Sequence, residues 1–87
     1  MHDRFDAYHK WLGIPPEEQP PHHYRLLAIP LFESDPEVIE SAVNQRMGHV
    51  RAYQTGRRSA DSQRILNELA AARVCLLSQE RKHAYDR

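Results

Sequence analysis

The sequence predicts an all-α protein. Two segments, about 35–54 and 59–77, carry apolar residues at helical spacing over several turns. No proline interrupts the chain after Pro36, and no stretch alternates apolar and polar residues for the length a strand needs. At 87 residues the chain is one domain's worth of polypeptide. A chain of that size buries only roughly 60–65% of its unfolded surface, so a large catalytic cleft would compete with the core.

Taken in order, Phe5, Tyr8, Trp11 and Leu12 predict a short helix over 3–12, stopped by Gly13 and Pro15-Pro16. Pro15 to Pro21, with four prolines and two glutamates, reads as a stiff extended connector without helix. A second short helix is expected over 22–29, with Pro20 and Pro21 in its first turn, Leu26, Leu27 and Ile29 on its apolar side, and Pro30 as its end. Tyr8–Pro15 (YHKWLGIP) and His23–Pro30 (HYRLLAIP) resemble each other, and read as two short amphipathic helices that each stop before a proline. Residues 1–19 then form an N-terminal helix and connector, and 20–87 the main helical domain.

Ser34-Asp35-Pro36-Glu37 is a helix start, with a capping side chain, a first-turn proline and acids at the positive end of the dipole. That helix is expected to run to about Gln54, with Ile39, Val43, Met47 and Val50 in one stripe, Ala42 and Tyr53 at its edge, and Gly56 as the stop. Ser59-Ala60-Asp61 starts the next helix, 59–77. Its wide apolar arc (Ile65, Leu66, Leu69, Ala72, Leu76) implies contact with more than one neighbour. A last helix is expected from Glu80 to Arg87, with Ala84 and Tyr85 turned inward.

Lys plus Arg equals Asp plus Glu, 12 against 12, yet the charge is split along the chain. Residues 1–43 carry three basic residues against eight acids, a balance of −5, and 44–87 carry nine against four, a balance of +5. Either the halves attract each other in the fold or the basic half faces an acidic partner. One cysteine, Cys75, excludes an internal disulfide and fits a reducing compartment. No apolar run approaches the roughly 20 residues of a membrane span, and the acidic start Met1–Asp6 lacks a signal peptide's apolar run. A cytoplasmic location is the expectation.

The order of elements together with two stretches resembles the J-domain of DnaJ-type co-chaperones. His23-Tyr24-Arg25-Leu26-Leu27-Ala28-Ile29 is similar to the family's first helix. Leu66, Leu69, Ala72, Leu76, Glu80, Lys82, Ala84, Tyr85 and Asp86 fall on the pattern of its third and fourth helices. The resemblance covers about 22–87 and is most specific at its end. It implies an antiparallel helical hairpin, 35–54 against 59–77, with short flanking helices. The extra N-terminal helix within 1–19 is no part of the family pattern, and either folds back onto the module with Trp11 as its anchor or grips a partner. The family's His-Pro-Asp, which stimulates ATP hydrolysis by the Hsp70 partner, is missing. The corresponding stretch reads Val50-Arg51-Ala52-Tyr53-Gln54-Thr55-Gly56, and His49 is followed by Val50 and Arg51. The resemblance therefore implies a docking module, a protein–protein interaction domain without the usual ATPase stimulation, ending at Asp86-Arg87 where such modules end inside larger proteins.

J-domains meet an acidic partner surface through a basic second helix and loop, which places the candidate partner-binding residues at Arg46, His49, Arg51, Tyr53, Arg57 and Arg58. The plainer alternative is a solvated basic surface that balances the acidic half. Arg46 and Arg73 fall inside the apolar arcs of their helices. Either their heads reach solvent, or they share an acid such as Glu33 or Glu40. His22, His23, His49 and Cys75 lack the spacing of a zinc site, so no metal is expected. No nucleophile with a base, phosphate loop or paired acids stands out, so neither enzyme chemistry nor a cofactor is expected. A working co-chaperone that engages Hsp70 through a non-standard loop is one rival reading. A small nucleic-acid-binding domain is another, opposed by the zero net charge.

Overall fold

The structure is a computed structural model and describes residues 5–87. Asp3 and Arg4 of the first predicted helix lie outside the described residues. Among those described, every regular element is a helix: α1 (Ala7–Leu12), a 3₁₀ turn (Pro16–Glu18), α2 (His23–Leu27), α3 (Pro36–Arg51), α4 (Ser59–Leu76) and α5 (Gln79–Asp86).

The caps explain most of the boundaries. Asp6 accepts the His9 N–H at 3.2 Å and starts α1. Asp35 accepts the Glu37 N–H at 2.9 Å, and Pro36 takes the first helical position of α3. Ser78 accepts the Arg81 N–H at 3.2 Å and starts α5. The cap of α2 differs from expectation. His22 Nδ1 accepts the Arg25 N–H, so Pro20 and Pro21 precede the helix instead of filling its first turn. The connector is also not wholly extended. Pro16 sits at the start of a 3₁₀ turn whose Glu18 N–H reaches the Pro15 carbonyl at 2.9 Å.

Helix α3 stops at Arg51, short of Gln54. The N–H groups of Tyr53 and Gln54 turn back to the carbonyls of Val50 and Arg51, tightening the chain into a loop over 52–58. Tyr53 leaves the helix because its ring stacks elsewhere, as described below. Gly56, at φ +114°, lies inside this loop and not at the helix end.

Helices α3 and α4 form the central interface, and their direction is fixed by two contacts. Near the loop, Ser62 Oγ donates to the Val50 carbonyl at 2.9 Å, and both residues are fully buried. At the far end Arg73 of α4 meets Glu40 of α3 at 3.0 Å. The pair is therefore antiparallel. Helix α4 also touches α1, α2 and α5, which is what its wide apolar arc requires.

One core joins α1, α2, α3 and α4. Tyr24, Leu27, Ile39, Val43, Val50, Ile65 and Leu69 are almost fully buried, and Trp11, Leu12 and Ile14 of the N-terminal segment belong to the same cluster. Ile14, just beyond α1, is completely buried, and burial of such a side chain contributes about 1.5–3 kcal/mol.

Helix α5 faces differently from the expectation. Ala84 is exposed and Tyr85 remains 39% exposed, whereas Lys82 and Asp86 are the half-buried positions. The reason is a polar contact. Tyr24 of α2 donates its hydroxyl hydrogen to Asp86 at 2.6 Å, and Lys82 pairs with Asp86 at 2.8 Å. The Lys82 and Tyr24 hydrogen bonds hold the Asp86 carboxyl below the usual carboxylate range, and Asp86 in turn raises Lys82. Tyr85 stacks on His23 at 4.3 Å and accepts the His23 backbone N–H at 2.8 Å.

Candidate docking surface

The six candidate residues divide between two adjoining features. The first is the loop end of the hairpin. Tyr53 stacks on Trp11 with ring centroids 4.3 Å apart and planes 18° from parallel, and the edge of His49 meets Tyr53 at 5.9 Å. Phe5 packs edge-on against Trp11 at 5.3 Å, and the Arg58 guanidinium lies 4.0 Å over the Phe5 ring while its other side approaches Asp61 at 3.8 Å. Tyr53 and Arg58 are thus held by the N-terminal segment. Arg51 and Arg57 are exposed, and the one side-chain hydrogen bond of Arg51 among the described residues is to the Met47 sulfur at 3.7 Å.

The second feature is an open groove of about 640 Å³ between the end of α2 and one face of α3. Leu27, Ala28 and Ile29 form one wall. Val38, Ser41, Ala42, Gln45, Arg46 and His49 form the other, an i, i+3, i+4 stripe along α3. Asp35 and Glu37 sit at the α3 start of the groove, and Arg46 and His49 at its opposite end. His49 belongs to both features.

Arg46 and Arg73 turn out differently from each other. Arg73 is exposed, not enclosed in the apolar arc, and it bonds Glu40 through both Nε (3.3 Å) and Nη2 (3.0 Å). Its place on α4 lets the long stem lean out over α3. Arg46 is half-buried and makes no ion pair among the described residues. Burial first, and the nearby Arg25 guanidinium second, lower its pKa below the ordinary arginine value.

Sequence reasoning missed the groove, the stacking of Trp11 on Tyr53 and the place of Phe5 over Arg58. The pairing of residues 11 and 53 carried no local signal. No group of three or more His, Cys, Asp or Glu capable of holding a metal occurs among the described residues, and none of their helices is long and apolar enough to cross a membrane. No protein-family model matches this chain, and neither a curated protein nor a solved structure does.

Proposed function

We propose that this chain is a protein-docking module of the J-domain type that does not stimulate Hsp70 ATPase activity, acts in the cytoplasm, and carries no chemistry or cofactor of its own. Two features support the J-type reading. The hairpin is antiparallel. Tyr24, Lys82 and Asp86, which carry the resemblance from opposite ends of the sequence, meet in one network. The departure from the family, Val50 to Gly56 in place of a stretch with His-Pro-Asp, is the reason no ATPase stimulation is proposed.

The observation that carries the docking reading is Tyr53. It is 37% exposed, yet it is fixed by its stack on the buried Trp11, and exposed Arg51 and Arg57 flank it. Tyr, Trp and Arg dominate the energetics of protein interfaces. An aromatic ring already held in place gives up little entropy on binding.

The first test is a single-turnover ATPase assay with an Hsp70. No stimulation is expected. Stimulation that disappears when Arg51, Arg57 and Arg58 are changed together would establish the co-chaperone reading instead. The second test places a photo-crosslinking amino acid at the exposed Thr55 in cells. A discrete protein adduct, lost in Tyr53→Ala and in the Arg51→Glu, Arg57→Glu double variant, is expected. Absence of any adduct, or binding to arbitrary duplex DNA with a steep salt dependence, would overturn the proposal.

A further inference from the structure

Four cationic side chains among the described residues are half-buried: Arg25, Arg46, Arg58 and Lys82. Three have a carboxylate. Arg25 meets Glu18, Arg58 meets Asp61 and Lys82 meets Asp86. Arg46 has none among the described residues. The acids of its own groove cannot serve it. The Asp35 carboxylate is committed to capping α3. Glu37 lies nine residues up the same helix, about 14 Å along the axis. The other guanidinium that Arg46 feels, that of Arg25, is of like sign.

A partly desolvated arginine next to a second one is an unmet demand for a carboxylate, because desolvating a cation costs free energy that a paired anion offsets. Between Arg46 and Glu37 the groove is lined by Ala28, Ile29, Val38 and Ala42 together with Ser41 and Gln45, a mixed surface open to solvent along its length. The groove therefore has a cation without an ion pair among the described residues at one end, an exposed acid at the other, and a part-apolar floor between them. The roughly 14 Å between Arg46 and Glu37 matches about four residues of extended chain.

We propose that the α2–α3 groove is a docking site for a short, charge-polarised segment of a partner protein, whose carboxylate enters beside Arg46 and whose basic residue lies over Glu37. The site rests on the docking reading above. It occupies a different surface from Tyr53 and Arg57, so the two can fail separately. The His49 ring closes the cationic end of the groove and links it to the loop end through its contact with Tyr53.

The test is a peptide-display selection on the whole chain, followed by fluorescence anisotropy with the enriched peptides. Enriched sequences are expected to carry Asp or Glu about four residues from Lys or Arg, with apolar residues between. Arg46→Glu should weaken such a peptide at least tenfold, and Arg46→Lys should retain most of the binding. A peptide with its carboxylate changed to lysine should recover affinity on Arg46→Glu. Glu37→Lys should weaken the original peptide, and Arg57→Glu should leave it unchanged. Because Arg46 makes no ion pair among the described residues, Arg46→Gln is a second variant, shorter and uncharged, that keeps the helical circular dichroism while losing the peptide. The proposal fails if no peptide is enriched, if binding is indifferent to Arg46, or if the peptides respond to Arg57→Glu instead. In that last case docking at the loop survives and the groove assignment does not.

Discussion

Tyr8–Pro15 and His23–Pro30 are similar octapeptides, identical at three of eight positions (Leu12/Leu27, Ile14/Ile29, Pro15/Pro30), and both become one short helix that ends in the left-handed conformation. Gly13 has φ +69° and Ala28 has φ +58°. In each, the isoleucine that follows turns its N–H back into the helix, Ile14 to the Tyr8 carbonyl and Ile29 to that of Tyr24, both at 3.1 Å. Each is also tied to a later helix by a tyrosine hydroxyl on a carboxylate at 2.6 Å, Tyr8 on Glu68 and Tyr24 on Asp86. Beyond that they part. The first copy puts Trp11 under the loop at 52–58 and buries Ile14 completely. The second puts Leu26 and Leu27 in the core and leaves Ile29 half-exposed on the groove. One local code thus makes both helices, and the apolar residue at the position of Trp11 or Leu26 decides what each helix supports.

The largest test of this difference removes the two anchors. Trp11→Ala is expected to cost about 3–5 kcal/mol and Leu26→Ala about 2–5 kcal/mol in chemical denaturation. The functional outcome separates them. Trp11→Ala frees Tyr53 and should abolish the Thr55 adduct in protein that remains folded, whereas Leu26→Ala should leave it. Equal loss of the adduct in two equally folded variants would show that Trp11 acts only through stability.

The tyrosine ties come next. Glu68 has only Tyr8 as a hydrogen-bond donor among the described residues, while Asp86 is still held by Lys82 if Tyr24 is changed. Tyr8→Phe should therefore cost about 1–2 kcal/mol and Tyr24→Phe about 1 kcal/mol or less. Burial and the Glu68 hydrogen bond push the Tyr8 hydroxyl up to about 12, and burial and the Asp86 hydrogen bond also raise Tyr24, so spectrophotometric titration should show two tyrosines ionising late, and Tyr8→Phe should remove one of them and leave the other.

The helix ends give a smaller effect of opposite sign in the two copies. A Cβ added at Gly13 meets nothing within 4 Å, so Gly13→Ala carries only the left-handed backbone cost, about 1–2 kcal/mol. Ala28→Gly relieves that cost and adds chain entropy to the unfolded state, for a net gain of about 0.5–1 kcal/mol. Equal signs would mean that packing and not backbone conformation sets these ends.

The same contrasts show what the sequence could reveal. Cap chemistry at Asp35 and Ser78, helical spacing in α3 and α4, and the breadth of the α4 arc are written within a few residues of where they act, and they were legible. The 3₁₀ turn at Pro16 and the early end of α3 were not, because Tyr53 leaves the helix for a ring forty-two residues earlier in the chain. The inward side of α5 was misread because Ala84 and Tyr85 are more apolar than Lys82 and Asp86. A buried partner, Tyr24, reversed that preference. Of the candidate site, the residue types were readable, but which arginine lacked a carboxylate was not. That depends on which acid each stem can reach in space: Glu40 lies beside Arg73 across the helix pair, and Arg46 makes no ion pair among the described residues.

The smallest difference between the two copies is in their response to acid. The second begins with His23 where the first has Tyr8, and burial, followed by the neighbouring His22, lowers the His23 pKa below 6.5. The folded state then binds fewer protons than the unfolded state between the two values, so stability rises with pH in that interval. His23 contributes in full above about pH 6.5, and its contribution is lost as pH falls through the depressed folded value. Asp6 and Asp86 are lowered from 3.8, by the Gln19 and Lys82 hydrogen bonds respectively, and act in the same direction only at more acid pH. Urea midpoints should therefore be flat from pH 8 to about 7, decline modestly towards pH 5.5, and fall again below pH 4. His23→Gln should remove the first decline and leave the second, because glutamine fills much of the same space over Tyr85 and does not titrate. A first decline that persists in His23→Gln would move the acid-sensitive contact away from the α2–α5 seam.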